Sequence, residues 1–375
     1  MNELELLSTI VLSRMNYFSL PELVELYRSV GSAKTILEHR RDIRELLPNA
    51  TPRVVEAFKE VGPLWKRAET ELAYDQANGI VAIAMNDERY PQRLRECEDA
   101  PLVLFMKGNA NLNPKRTIAV VGTRHCTTYG QDLIRHFCRD LSERCPGINI
   151  VSGLAYGIDV CAHTEALNNQ LPTMGVLAHG LDDLYPPRHR SVAEKMVEQG
   201  ALLSEYLTRT NADKMNFVRR NRIVAGMTDA TVLVESGAKG GGLITCRIAL
   251  DYNRSVFAFP GPVGATWSMG CNNLIRDNGA QLITSADDFV MAMGWEADSL
   301  LRQAQQAGIE RQLFPTLSAE EQQVVNVLLK TNDLQMNTIS VKCNIPIGQL
   351  TALLFNLEMK GVVKPYSGGT YHLLA

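Results

Sequence analysis

The stretch that most limits what this chain can become runs from Ile118 to Gly130 and reads IAVVGTRHCTTYG. Four apolar residues, Ile118-Ala119-Val120-Val121, stop at Gly122. A short apolar run without alternation, closed by a turn residue, is how a buried strand of a parallel sheet reads. From Gln131 a helical pattern follows, with Leu133, Ile134, Phe137 and Leu141 on one face. A strand entering a helix through a glycine leaves backbone N–H groups free, and a phosphate can sit there. Arg124 adds a cation at that turn. The same residues also suit a plain α/β turn with a surface arginine, and the stretch alone leaves both readings open. It is neither a GxGxxG dinucleotide fingerprint nor a GxxxxGK phosphate loop.

Strand and helix patterns alternate on both sides of this stretch. Strands are expected at Ile80 to Ala84, Pro101 to Gly108, Asn149 to Val151, Thr173 to Ala178, Ala201 to Leu203, Ala230 to Val234 and Val256 to Phe259. Strands separated by helical patterns imply a largely parallel, doubly wound α/β sheet. Such sheets bind ligands beyond the carboxyl ends of their strands. Those ends carry Gly122-Thr123-Arg124, Ser152-Gly153, Gly180 and Ser236-Gly237, all able to offer backbone N–H groups or small hydroxyls to an anion.

Two segments near these ends bear on the ligand. Residues 214 to 226 read KMNFVRRNRIVAG, with Lys214, Arg219, Arg220 and Arg222 around Phe217. Between Arg188 and Arg222 eight cations face four acids, so the segment is about +4 inside a chain of formal net charge -3. Cations with an interleaved aromatic suit single-stranded nucleic acid, the cations taking phosphates and the ring a base. A helix with a solvated basic face and Phe217 in the core would read the same way. Lys239-Gly240-Gly241-Gly242-Leu243-Ile244-Thr245 then opens a helix. Its glycines permit close approach to the backbone, and its N-terminus favours anions. The alternative there is a flexible loop.

The remaining chain sets the domain organisation. Residues 1–75 read as short helices, a bundle of the sterile-alpha-motif or helix-hairpin-helix type. Its expected hairpin, Arg14 to Phe18, has no glycine, which favours docking over a DNA grip. Residues 76–295 form the α/β core, and 296–316, polar and rich in Gln, read as a linker. Residues 317–375 read as helix-helix-helix-hairpin, the winged-helix pattern. Ser318 and Glu321 form a capping box, and the hairpin turns at Ser367-Gly368-Gly369. The charges of this tail balance, so partner contact is expected of it rather than DNA reading.

Composition narrows the function classes. No apolar run approaches the roughly 20 residues of a membrane span, and the start MNELELLSTIVL lacks a signal peptide's basic region. Eight scattered cysteines without a CxxC pair suit a reducing cytoplasm. Cys161 and His163 alone fall short of the four ligands of a structural zinc, so neither metal nor cofactor is expected.

Together these motifs resemble the DNA-processing protein A family (DprA, also called Smf). The resemblance covers about residues 80 to 285. It is carried by YPQRL at Tyr90–Leu94, VGTR at Val121–Arg124, SGLAYGID at Ser152–Asp159 with Ala162-His163, and GLDDLYP at Gly180–Pro186. It continues in SEY at Ser204–Tyr206, RRNRIVAG at Arg219–Gly226, GGGLIT at Gly240–Thr245, FPGP at Phe259–Pro262 and NNLI at Asn272–Ile275. Two departures stand out: Tyr156 where the family usually has Arg, and Gly241 or Gly242 where it usually has Ser.

The resemblance implies an extended Rossmann-like core between a helical bundle and a winged helix, in a cytoplasmic homodimer. It implies a non-enzymatic role in natural transformation: binding and protecting single-stranded DNA and loading the RecA recombinase on it. Arg124 is then the expected phosphate clamp, and Lys214 and Phe217 the expected phosphate contact and base stack. Arg219, Arg220 and Arg222 support the groove, and Gly153, Gly240 and Thr245 offer backbone or hydroxyl contacts. Gly122, Thr123, Ser152, Asn221 and Lys239 complete the expected DNA-binding set.

Two other readings compete. A nucleotide phosphoribohydrolase-like enzyme also has a Rossmann core with Gly-rich turns. Its PGGxGTxxE motif is absent, since GGGLIT is followed by Cys246-Arg247-Ile248, which leaves Glu205 and Glu235 as candidate acids. A protein-interaction scaffold is the third reading and predicts no DNA affinity in the core.

Overall fold

The computed structural model describes residues 2–15, 18–295, 317–366 and 370–374. Contacts divide the chain into two compact units, Met1–Glu296 and Ala297–Ala375. The expected linker at 296–316 lies outside the described residues, as do Asn16 and Tyr17 of the expected hairpin and the turn at 367–369.

The first unit opens with helices α1 (Glu3–Ser13), α2 (Leu20–Val30), α3 (Ala33–Glu38), α4 (Pro52–Lys59) and α5 (Gly62–Ala77). Their ends follow local chemistry. Ser19 and Glu22 make a capping box on α2, Gly31 ends it in the left-handed region, and Thr51 caps α4 ahead of Pro52. These helices are not a free-standing bundle. Ile10, Ile36 and Phe58 share one hydrophobic cluster with Ile83 and Leu104 of the sheet. Buried Glu71 of α5 accepts hydrogen bonds from the Thr208 amide (2.7 Å) and hydroxyl (2.6 Å). The boundary drawn at residue 75 therefore marks a change of secondary structure within one packed unit.

The α/β part runs β1 (Ile80–Ala84), α6 (Gln92–Arg95), β2 (Val103–Gly108), β3 (Thr117–Val121), α7 (Thr128–Arg144), β4 (Asn149–Ser152), α8 (Ile158–Asn168) and β5 (Thr173–Val176). It continues α9 (Arg190–Gln199), β6 (Ala201–Ser204), α10 (Lys214–Gly226), β7 (Ala230–Leu233), α11 (Gly241–Asp251), β8 (Ser255–Ala258), α12 (Met269–Arg276), β9 (Gln281–Leu282) and α13 (Ala286–Ala292). The strand order is β1-β2-β6-β5-β4-β3-β7-β8-β9. β6 to β9 are parallel throughout, and β2 pairs antiparallel with both β1 and β6.

β3 is central and buried along its whole length. Ile118 and Val120 join Phe137 and Leu141 of α7 on one face, while Ala119 and Val121 join Val224 and Leu243 of α10 and α11 on the other. Each of the larger side chains here adds about 1.5–3 kcal/mol on burial, which is why Ile118 to Val121 carry no polar alternation. The YPQRL motif is a structural lock: Tyr90 donates to the Pro101 carbonyl at 2.6 Å, and Arg93 pairs with Asp229 at the start of β7.

The second unit is α14 (Ala319–Lys330), β10 (Leu334–Gln335), α15 (Met336–Cys343), α16 (Ile347–Met359), β11 (Val363–Tyr366) and β12 (Thr370–Leu373), its sheet ordered β10-β12-β11. Leu328, Leu350, Leu354 and Leu357 fill its core. The Ser318–Glu321 capping box forms as the sequence indicates, and Lys360 donates to the same buried Glu321 at 2.7 and 2.8 Å. Three helices and a small antiparallel sheet make this a winged helix.

Candidate nucleic-acid interface

The strand order reverses direction at β3. From β3 the chain winds outward through β4, β5 and β6, and from β7 outward through β8 and β9 on the other side. The connections leaving β3 and β7 therefore part, and a crevice opens above their carboxyl ends. It holds about 770 Å³ and is lined by the turn after β3, Gly153 after β4, α10, and the glycine loop opening α11.

Gly122 begins the turn because nothing larger fits: a Cβ there would lie 2.5 Å from Ile158 and 2.7 Å from the Glu235 carbonyl. Thr123 is buried and donates its amide to that same carbonyl at 2.8 Å. Arg124 is exposed, its guanidinium 5.0 Å from the centre of the Phe217 ring. Tyr185 packs edge-to-face on the same ring at 5.8 Å. Lys214, Asn221, Lys239, Gly240 and Thr245 line the remaining wall.

One expectation moves. The N-terminus of α7 cannot receive a phosphate, because the Glu235 carboxylate already accepts from the Thr127 amide (2.9 Å) and hydroxyl (2.5 Å). The helix start open to the crevice is that of α11, where Gly240 supplies no side-chain cap and a Cβ on Gly241 would meet nothing within 4 Å.

The three arginines of α10 take three different places. Arg219 is exposed and outside the crevice lining. Arg220 lines the crevice but is buried, donating to the carbonyls of Gly153 (2.8 Å) and Val176. Burial pushes its pKa down against the opposing field of Asp159, and burial pushes Asp159 up despite Arg220. Arg222 is buried against Glu205, with Asp99 at 3.9 Å. It therefore holds the fold and not a groove. Ser152 is likewise internal, its hydroxyl donating to the Val120 carbonyl at 2.6 Å. Helical spacing sets Arg220 apart from the other two, since residues one and two apart do not share a face, and Glu205 and Asp99 draw Arg222 inward.

The same contacts bear on catalysis. Glu205 is committed to Arg222, and Glu235 to the start of α7. His163 is fully buried beside Thr173, and burial pushes its pKa down to about 3. Among the described residues no group of three or more His, Cys, Asp or Glu could hold a metal ion, and no helix is long and apolar enough to cross a membrane. Tyr156, which stands where the resemblance expects Arg, is exposed and packs edge-to-face on His189 at 5.1 Å. Sequence reasoning passed over His125 and Trp267, which also line the crevice. The signal within reach was a tryptophan in the Gly- and Pro-rich loop between FPGP and NNLI.

Residues 81–294 match the family model described as DNA recombination-mediator protein A, and residues 310–369 match one described as the DprA winged helix domain. The chain is 32% identical to Protein Smf of Escherichia coli K12 over 319 residues, 82% of this chain and 81% of that one. The X-ray structure of DNA processing protein A from Streptococcus pneumoniae superposes with a TM-score of 0.65 at 32% identity, covering 75% of this chain and 95% of that one. A Helicobacter pylori DNA processing protein A, whose structure was determined for its single-stranded DNA binding mode, superposes with a TM-score of 0.52 at 27% identity. It covers 57% of this chain and 95% of that one.

Proposed function

The chain belongs to the DNA recombination-mediator protein A family, and from that premise we propose that its switch-point crevice binds single-stranded DNA. The observation that carries the reading is Arg124 poised over Phe217, with Lys214 and Lys239 on the same crevice. The cations neutralise phosphates while the ring stacks a base, which duplex DNA, with its bases already stacked, cannot offer. The engagement of Glu205 and Glu235 within the fold favours a binder over a hydrolase. Family membership supports extending the proposal to a cytoplasmic, homodimeric mediator that protects incoming single strands in natural transformation and loads the RecA recombinase on them. In the winged helix, Ile347, Phe355 and Met359 lie exposed at four- and eight-residue steps along α16, which favours partner contact over DNA reading.

The test is a titration of the purified protein with labelled single- and double-stranded oligonucleotides at two salt concentrations. Tight, salt-sensitive, single-strand-selective binding supports the proposal. Absence of binding to either overturns it and returns weight to nucleotide hydrolysis.

A further inference from the structure

The loop between β3 and α7 sends two consecutive side chains to two different aromatic groups. Arg124 lies over Phe217, and His125 stacks on Trp267 with centroids 5.0 Å apart and planes 20° from parallel. Trp267 is firmly placed. Its carbonyl accepts from the Ser236 amide at 2.7 Å, and its ring edge borders Gly237, where a Cβ would sit 3.4 Å from Cζ3. The His125 amide is held by the Thr123 hydroxyl at 3.1 Å, while its ring stays exposed.

Core packing does not account for this pair. Trp65 packs against the main hydrophobic cluster and Trp295 against the second, whereas among the described residues Trp267 packs against none of the four. A large ring on a crevice wall, outside the core and topped by an exposed flat imidazole, offers a π-surface to whatever enters. Residues 124 and 125 are consecutive, and Phe217 and Trp267 line the same crevice, so the two aromatic surfaces face one bound strand. We propose that His125 and Trp267 form a second nucleobase platform, seating the base next to the one stacked on Phe217. This rests on the single-strand reading above and extends it: the crevice grips two successive nucleotides by their bases, with Arg124 between the platforms on the intervening phosphate. Stacking of this kind is tolerant of sequence, because every base has a π-face.

The experiment uses the full-length chain with two fluorescein-labelled strands of equal length, an oligothymidylate and an abasic sugar–phosphate strand. Trp267→Ala is expected to weaken oligothymidylate binding about five- to a hundredfold and to leave abasic-strand binding unchanged. Trp267→Tyr keeps a stacking ring and should restore most of the affinity. In a Trp65→Phe/Trp295→Phe background, which leaves Trp267 as the one indole, oligothymidylate should quench the emission and the abasic strand should not. An equal loss on both strands, or wild-type affinity without quenching, overturns the second platform. If Phe217→Ala weakens binding while Trp267→Ala does not, the platform falls and the single-strand function stands. If the unmodified chain binds no single strand at either salt, both fall together.

Discussion

Arg220 and Gly153 are shaped to each other. The arginine donates to the Gly153 carbonyl at 2.8 Å, and a Cβ on residue 153 would lie 2.5 Å from the guanidinium carbon. The glycine at the end of β4 is therefore required by a side chain 67 residues away on α10. Gly153→Ala should push Arg220 off its carbonyls and destabilise the fold by about 1–3 kcal/mol, the range for overpacking. Thermal unfolding of the two proteins checks this, and an unchanged midpoint would show that the guanidinium moves freely.

Arg124 and Phe217 touch each other yet should fail differently. Arg124→Ala removes a cation, so the slope of log affinity against log salt should flatten by about 0.7 for each phosphate left unneutralised. Phe217→Ala removes a stack, so affinity should drop by about 1–3 kcal/mol with the slope retained. Both variants should unfold at the unmodified temperature, because neither side chain is in the core. Fluorescence anisotropy across a salt series separates the outcomes, and wild-type affinity in both would remove the crevice from consideration.

What could be read from the sequence, and what could not, divides along physical lines. β3 was legible because a strand buried on both faces needs an unbroken apolar run, and the crevice position followed from the strand–helix alternation. Arg124 was legible as a cation at a strand end, and Phe217 as an aromatic set within a basic cluster. The partners of Arg222 and Arg220 were not, because Glu205 and the Gly153 carbonyl reach α10 through tertiary packing that no local pattern encodes. The same holds for Glu235, which occupies the start of α7 across 108 residues. The attachment of α5 to Thr208 hid the unity of the first unit in the same way.

Arg219 and Arg222, on either side of Arg220 in the sequence of α10, make a paired prediction. Arg222→Ala leaves Glu205 buried without its cation and should cost about 3–5 kcal/mol of stability. Arg219→Ala, at an exposed site, should change stability by less than about 0.5 kcal/mol. Urea denaturation of both variants gives the comparison. Equal midpoints would mean that Arg222 is solvated and free to serve the groove.

The glycines opening α11 are not equivalent. A Cβ on Gly241 meets nothing within 4 Å, whereas one on Gly242 would lie 2.7 Å from Leu233 and 3.2 Å from the Gly122 backbone. Gly241→Ser should fold normally, gain up to about 1 kcal/mol from reduced freedom of the unfolded chain, and place a hydroxyl on the crevice. Gly242→Ser should press on β3 and β7 and lower stability. Measuring unfolding and oligonucleotide binding on both tells which of the two glycines packing requires. A stable, tight-binding Gly242→Ser would reverse the assignment.

His163 makes the fold sensitive to acid. The Thr173 hydroxyl donates to the Ile150 carbonyl at 2.9 Å, so the 2.7 Å contact to His163 is a hydrogen bond from its Nδ1. Its Nε2 is buried with no partner, so a proton added there would meet no acceptor, and burial, assisted by Arg220 and His189, pushes the pKa from 6.5 to about 3. The folded pKa lies below the unfolded one, so the unfolded chain takes up the proton first as pH falls. Stability from this residue is fully present above about pH 6.5 and declines toward pH 3, at up to about 1.4 kcal/mol per unit. Unfolding free energies from urea titrations at pH 7 and pH 5 should therefore differ by about 2 kcal/mol from this group alone. His163→Gln retains a side-chain donor for Thr173 without a titrating ring, and its stability should fall less between those two pH values. An identical pH dependence in the variant would mean that His163 reaches solvent and titrates as it does in the unfolded chain.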